Sequence, residues 1–258
     1  MPQITHLSES SPNFTPHTTL LDKPYLFETT QVKGCVFYLS PEKGLGGDSF
    51  IVYGEDHLSV GLLADMQGHG QTGRDKWLRY PDTLEQLISE VRHSDDDCAV
   101  ITYLQKLDSI LNPVENAIAL TLMNYRKNGL IGYINCGENT IVFQKNDGKL
   151  KTPAHTSPKL GYNKLIQYSI DKSNQFLLKK QPIKKHNRIF IFSDGVTDLL
   201  SNHTSDDNLI MDRLKNILQK KESLEENMCK INEYLHRKIF GNPRIIHDDY
   251  TILAVEIK

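Results

Sequence analysis

Four aspartates stand where apolar runs meet loops in this 258-residue chain. Asp48 follows Gly46-Gly47 and opens the run 49–53, whereas Asp65 closes the run 57–64 and precedes Met66-Gln67-Gly68-His69-Gly70. Asp194 closes the run 188–193 and is followed by Gly195, and Asp248, with Asp249 beside it, comes just before the run 250–257. A carboxylate at a strand end reaches the rim of a sheet, and nearby glycines let backbone and ligand approach closely. Four such groups at one rim repel one another unless cations neutralise them. Hard oxygen ligands select Mg²⁺, Mn²⁺ or Ca²⁺ over zinc or copper. Two such ions about 4 Å apart activate water and clamp a phosphoryl group for in-line displacement. Singly, each aspartate is more often a turn or capping residue. The set is what points to a shared site.

The segments around them must do the positioning. Runs 34–39, 49–53 and 57–64 are β-prone and joined by short turns, which predicts an antiparallel meander. Leu84, Leu87, Ile88 and Val91 in 82–91, and Ile101, Leu104, Leu107 and Leu111 in 99–111, recur at helical spacing. Strands are predicted again at 118–125, 130–135 and 140–144, the first pair turning through Asn128-Gly129. A looser stretch, 145–187, leads to a strand at 188–193, helical segments near 206–220 and 222–239, and a closing strand at 250–257. Strands in runs and helices in runs, with no βαβ alternation, predict an α+β fold. Residues 1–30, with Pro2, Pro12, Pro16 and Pro24, read as a loosely structured arm or edge segment, and 31–258 as a single domain.

Composition narrows the function classes. With 30 basic against 32 acidic residues the formal charge is −2, so no whole-chain electrostatic case for nucleic acid exists. No stretch approaches the roughly 18 apolar residues of a membrane span, and residues 1–20 lack the apolar core of a signal peptide. Cys35, Cys98, Cys136 and Cys229 form no CxxC pair and read as thiols, not a disulfide framework. No Cys/His cluster has zinc-ligand spacing. These readings predict a cytoplasmic protein.

Taken in order, Gly46-Gly47-Asp48, Asp65-Met66-Gln67-Gly68-His69-Gly70, Phe192-Ser193-Asp194-Gly195-Val196-Thr197-Asp198 and Asp248-Asp249-Tyr250-Thr251 resemble the motifs of the metal-dependent protein serine/threonine phosphatases, the PPM family. The Asp-x-x-Gly-His-Gly spacing is closer to the bacterial SpoIIE-type branch than to the eukaryotic one. Asn135-Cys136-Gly137 is similar to that branch's Asn-Ala-Gly turn, and Pro158-Lys159-Leu160-Gly161 to its Pro-Leu-Gly segment. The resemblance implies two packed antiparallel sheets flanked by α-helices. It implies Asp48, Asp65, Asp194, Asp248 and the carbonyl of Met66 as ligands of two Mg²⁺ or Mn²⁺ ions, with Asp65 bridging. It further implies a phosphoserine or phosphothreonine substrate on a bacterial regulatory protein of the anti-sigma-factor-antagonist type, and a regulatory protein partner. Asp249 matches a position that is not usually a ligand, although sequence alone does not decide between neighbours. His69 is open between a turn residue and a proton donor. Two departures stand out: Gln71-Thr72-Gly73-Arg74 replaces small residues, and Glu138 takes the place of a histidine.

Rival chemistries leave weaker traces. Gly68, Gly70 and Gly73 fit Gly-x-Gly-x-x-Gly, but a dinucleotide site needs a parallel second strand ending in an acidic residue. A cysteine phosphatase needs an arginine six positions after its cysteine, where this chain has Pro41, Leu104, Val142 and Leu235. Neither Asp-x-Asp at Asp194 nor a P-loop occurs. A catalytically silent binding module on the same fold is the remaining alternative, and it gives no reason to keep four repelling carboxylates. The basic run 179–188 reads as a solvated hairpin or a dock for an acidic phosphoprotein.

Overall fold

The computed structural model describes residues 24–39, 46–54, 58–68, 70–77, 79–80, 82–93, 97–111, 117–126, 128–153, 157–162, 179–201, 207–219, 221–241 and 248–258. The chain first lays down β1 (Tyr25–Glu28), β2 (Val32–Leu39), β3 (Asp48–Gly54) and β4 (Leu58–Met66), then α1 (Gly70–Trp77), α2 (Thr83–His93) and α3 (Asp97–Leu111). Strands β5 (Ile118–Arg126), β6 (Leu130–Cys136), β7 (Thr140–Gln144), β8 (Leu150–Lys151), β9 (Lys179–Pro182) and β10 (Arg188–Phe192) follow. Helices α4 (Asp194–Ser201), α5 (Asp207–Ile217) and α6 (Leu224–Gly241) precede the closing strand β11 (Tyr250–Ile257).

These strands form two sheets, ordered β1-β2-β11-β10-β7-β8 and β3-β4-β5-β6-β9. Side-chain alternation sorts each strand between two apolar layers. In β4, Leu58, Val60, Leu62, Ala64 and Met66 pack against α2 and α3, while Leu63 turns into the gap between the sheets. In β11, Tyr250, Ile252 and Ala254 pack against α4–α6, while Leu253, Val255 and Ile257 enter that gap. The result is helices, sheet, sheet, helices, as the α+β reading required. The periodic residues of α2 and α3 all lie in the outer layer. A capping box opens α6: Glu226 N–H donates to Ser223 Oγ (3.1 Å) and Ser223 N–H to the Glu226 carboxylate (2.7 Å).

Every pairing between these strands is antiparallel. That removes the dinucleotide reading of Gly68, Gly70 and Gly73, because β4 is followed by α1 but pairs antiparallel with β5. Other details extend the sequence reading. Tyr25–Glu28, in the stretch read as an arm or edge segment, is an edge strand, and 145–187 contributes β8 and edge strand β9 from the basic run. Helix α4 was not anticipated. Cys35, Cys136 and Cys229 are free thiols; the Cys98 side chain lies outside the described residues.

Candidate metal centre

Register places the first two aspartates together. Asp48 sits directly opposite Asp65 in the β3–β4 pair, so both side chains leave the same face, the one that Val52 and Leu63 turn into the inter-sheet gap. From the other sheet Thr251, in phase with Leu253 and Val255, donates its hydroxyl to Asp48 Oδ2 at 2.6 Å. β10 ends at Phe192, opposite Ile252, and Ser193 N–H donates to the Thr251 carbonyl (3.0 Å). Asp194 therefore begins α4 at this same end of the sandwich. The starts of β3 and β11 and the ends of β4 and β10 meet there.

The backbone around the acids is tightly braced. The Gly47 carbonyl accepts from Met66 N–H (3.0 Å) and from Trp77 Nε1–H of α1, while Gly47 N–H donates to Asp249 Oδ2. Asp249 is buried and Asp248 half-buried, and Asp248 Oδ1 accepts the Asp249 N–H at 2.9 Å. The two neighbours thus hold different positions: Asp249 braces the Gly47 loop, and Asp248 lies at the half-open rim. Met66 sends its side chain into the helical layer and leaves its carbonyl close to Gly47. At Gly195 a side chain would run into the Asp249 carbonyl, so only glycine lets α4 start this close to β11. His69 lies outside the described residues.

Electrostatics bind the acids into one system. Burial pushes the Asp48 carboxyl well above the usual range; the Asp249 charge adds to this, the Thr251 hydrogen bond opposes it, and Asp194 and Asp248 add further. Asp65 is raised by desolvation first, then by Asp48, Asp194 and Asp248. Asp194 is raised by burial, while its hydrogen bond with Asp65 and the charge of Lys159 pull it back. Held this close together, the acids repel one another when charged, and a bound cation would relieve that repulsion. Among the described residues no three His, Cys, Asp or Glu side chains are drawn into a ready ligand shell. The donor set nevertheless fits a hard divalent cation. It is all oxygen and mutually repelling, and Asp194 Oδ1 is buried without a hydrogen bond among the described residues.

A second layer supports the rim. Asn135, in the turn singled out from the sequence, accepts from buried Thr121 (Oγ1 to Oδ1, 2.5 Å) and donates to the Asn139 carbonyl (2.8 Å). Asn139 Nδ2 in turn lies 3.5 Å from the Leu63 carbonyl and 3.4 Å from that of Ala119, tying β4 to β5 beside Asp65. Thr251, Trp77, Thr121 and Asn139 were not foreseen as part of the site. Thr251 was visible only as the last residue of the Asp248 motif.

The Stage II sporulation protein E (SpoIIE) family matches residues 57–258. The chain belongs to the SpoIIE family of PPM-type phosphoprotein phosphatases. Solved structures share the fold at low identity. RsbX in complex with magnesium is 16% identical with a TM-score of 0.63, over 91% of this chain and 100% of that one. A Bacillus subtilis SpoIIE structure, comprising the PP2C phosphatase domain and a fragment of the regulatory domain, is 16% identical with a TM-score of 0.65, over 92% of this chain and 64% of that one. The catalytic domain of serine/threonine phosphatase PstP with two manganese ions is 16% identical with a TM-score of 0.55, over 88% and 98%. Other structures of this fold come from work on the bacterial stressosome and from a Mycobacterium tuberculosis chain carrying RsbU and RsbW domains. Among the curated proteins none matches by sequence.

Proposed function

We propose that this SpoIIE-family chain is a Mg²⁺- or Mn²⁺-dependent protein serine/threonine phosphatase acting on a phosphorylated regulatory protein of the anti-sigma-factor-antagonist type. The observation that carries the reading is the meeting of Asp48, Asp65 and Asp194 where both sheets end, with Thr251 of one sheet bonded to Asp48 of the other. Asp48, Asp65, Asp194, Asp248 and the Met66 carbonyl would hold two ions. Bound there, such ions lower the pKa of water and draw charge off a phosphoryl group. The chain's own part is preorganisation. Gly47 and Trp77 fix the loop before Asp48, Thr251 orients its carboxylate, and Gly195 lets Asp194 approach.

The magnesium in RsbX and the two manganese ions in PstP support this choice of cations. The regulatory domain beside the SpoIIE phosphatase and the RsbU–RsbW pairing support a regulatory protein partner. Among the described residues no helix is long and apolar enough to cross a membrane. Free Cys35, Cys136 and Cys229 agree with a reducing compartment, and we place the protein in the cytoplasm.

The test is phosphate release from a panel of phosphorylated bacterial regulators during Mn²⁺ and Mg²⁺ titration. Saturable, metal-dependent release from one of them supports the reading. Metal-independent turnover sinks the mechanism, and tight binding of a regulator without release favours a silent binding module.

A further inference from the structure

The loop 158–161 is pinned at both ends beside the carboxylates. Ser157 N–H donates to the Asn135 carbonyl (2.7 Å) and the Ser157 carbonyl accepts from Gly137 N–H (2.8 Å). Leu160 and Ile118 exchange two backbone hydrogen bonds of 3.0 Å each, and Gly161 N–H donates to the buried Asp108 carboxylate of α3 at 2.6 Å. Lys159 has little freedom between these anchors.

Its stem packs over Gly137, next to Ala119. Gly137 has φ +91°, and a side chain there would lie 2.6 Å from Lys159 Cγ and 2.9 Å from Ala119 Cβ. Ala119 stands directly opposite Asp65 in the β4–β5 pair. The Lys159 ammonium is 2.7 Å from Glu138 Oε2, with the lysine 22% and the glutamate 63% exposed. Burial pulls this ammonium down, but Glu138, Asp65 and Asp194 more than offset it and raise it overall. Lys159 thus lies within electrostatic reach of two of the site's acids. Glu138 and Lys159 are also two positions where the sequence adds charge to the family's Asn-Ala-Gly-His and Pro-Leu-Gly pattern, and the fold pairs them with each other.

An acidic cluster repels a phosphate dianion, so a fixed cation at its rim has a clear use. An ammonium carries three donors, and one contact to Glu138 leaves two to offer. Glu138 is the more exposed partner of this pair and holds the ammonium at its own carboxylate. We propose that Lys159 is a phosphate-binding residue of this site, donating to the phosphoryl oxygens of a phosphomonoester, and that Glu138 is the positioning residue that keeps its ammonium at the rim. The proposal rests on the phosphatase reading only in taking the ligand to be a phosphomonoester.

The probe is inorganic phosphate, titrated calorimetrically into the full chain at fixed ionic strength with and without Mn²⁺. Lys159→Met keeps the stem and removes the charge; it should weaken phosphate binding about tenfold, the worth of one charge-assisted hydrogen bond. Lys159→Gln should do the same, and Lys159→Arg should stay within about threefold of wild type. Glu138→Gln should weaken phosphate about threefold. It should also raise the Mn²⁺ concentration for half-saturation, read from the resonance of free Mn²⁺, because the released ammonium settles on Asp65 and Asp194. Melting curves confirm that each variant is folded. Phosphate binding by folded neutral variants equal to wild type overturns the assignment, as does a wild type that binds no phosphate. Turnover with phosphate binding indifferent to Lys159 sinks this inference alone. Binding through Lys159 with no release from any phosphoprotein sinks the phosphatase reading alone.

Discussion

Thr251 Oγ1 lies 2.6 Å from Asp48 Oδ2, a hydrogen bond that joins the start of β11 to the start of β3 across 203 positions of sequence. It links the two sheets at the end where the carboxylates meet, and it is the neutral donor that opposes the upward pressure of burial and charge on Asp48. Thr251 is fully buried.

Thr251→Val keeps the shape and removes the donor. The variant should lose about 1–2 kcal/mol of stability, the cost of leaving a buried acceptor unpaired, and should need more Mn²⁺ for half-maximal activity. Thr251→Ser should restore both. Urea melts and metal titrations of the three proteins check this; a valine variant with unchanged metal demand would separate Thr251 from the site.

Removing a repelling charge should stabilise the metal-free fold while destroying function. Asp65 is raised by desolvation and by Asp48, Asp194 and Asp248. Its neutral form therefore favours folding below the unfolded value of 3.8, and that contribution is lost as pH rises through the folded value. In EDTA at pH 7, Asp65→Asn should be more stable than wild type by about 1 kcal/mol, a size common for relieved active-site strain. The gain should shrink as pH falls toward 4, and phosphatase activity should be absent throughout. Denaturant melts across that range measure it; a destabilised asparagine variant at pH 7 contradicts the repulsion argument.

A charged pair far along the same strands obeys the opposite sign. Arg188 faces Glu256 in the β10–β11 register, its Nε–H donates to Glu256 Oε2 at 2.5 Å, and Lys33 lies 3.1 Å from Oε1. Burial pushes Glu256 up, but Arg188 and Lys33 outweigh it and hold the carboxyl below its ordinary 4.5. That stability is present above pH 4.5 and lost as pH falls through the lower folded value. Arg188→Met should cost about 3 kcal/mol at pH 7, because a buried carboxylate loses its main partner. The Arg188→Met/Glu256→Gln double variant should recover part of the loss and show a flatter stability profile between pH 5 and 3. Equal acid sensitivity in wild type and double variant would rule this out.

Much of this architecture is legible in the chain because its strands announce themselves locally. The β5–β6 hairpin turns at Asn128-Gly129, and Gly129 has φ +78°, as such a turn requires. The spacing of Leu84, Leu87, Ile88 and Val91 marks the buried stripe of α2. Helix α4 leaves no clear trace in the sequence because its eight residues start at the strand end, too short a window for a periodic pattern. Tertiary relations left no local trace. Thr251 is an ordinary β-branched strand residue until β11 is set against β3. Asp108 looks like any polar residue of α3 until its carboxylate meets Gly161, 53 positions away. The different positions of Asp248 and Asp249 follow from strand phase and burial, which only the paired sheets fix.

If these separate aspartates share divalent cations, equilibrium dialysis against Mn²⁺ will count the ions they hold. The wild-type chain should bind about two ions per molecule, while Asp65→Asn and Asp194→Asn, each folded by its melting curve, should lose at least one. Wild-type protein that takes up no Mn²⁺, or folded aspartate variants that bind as many ions as wild type, would contradict that sharing.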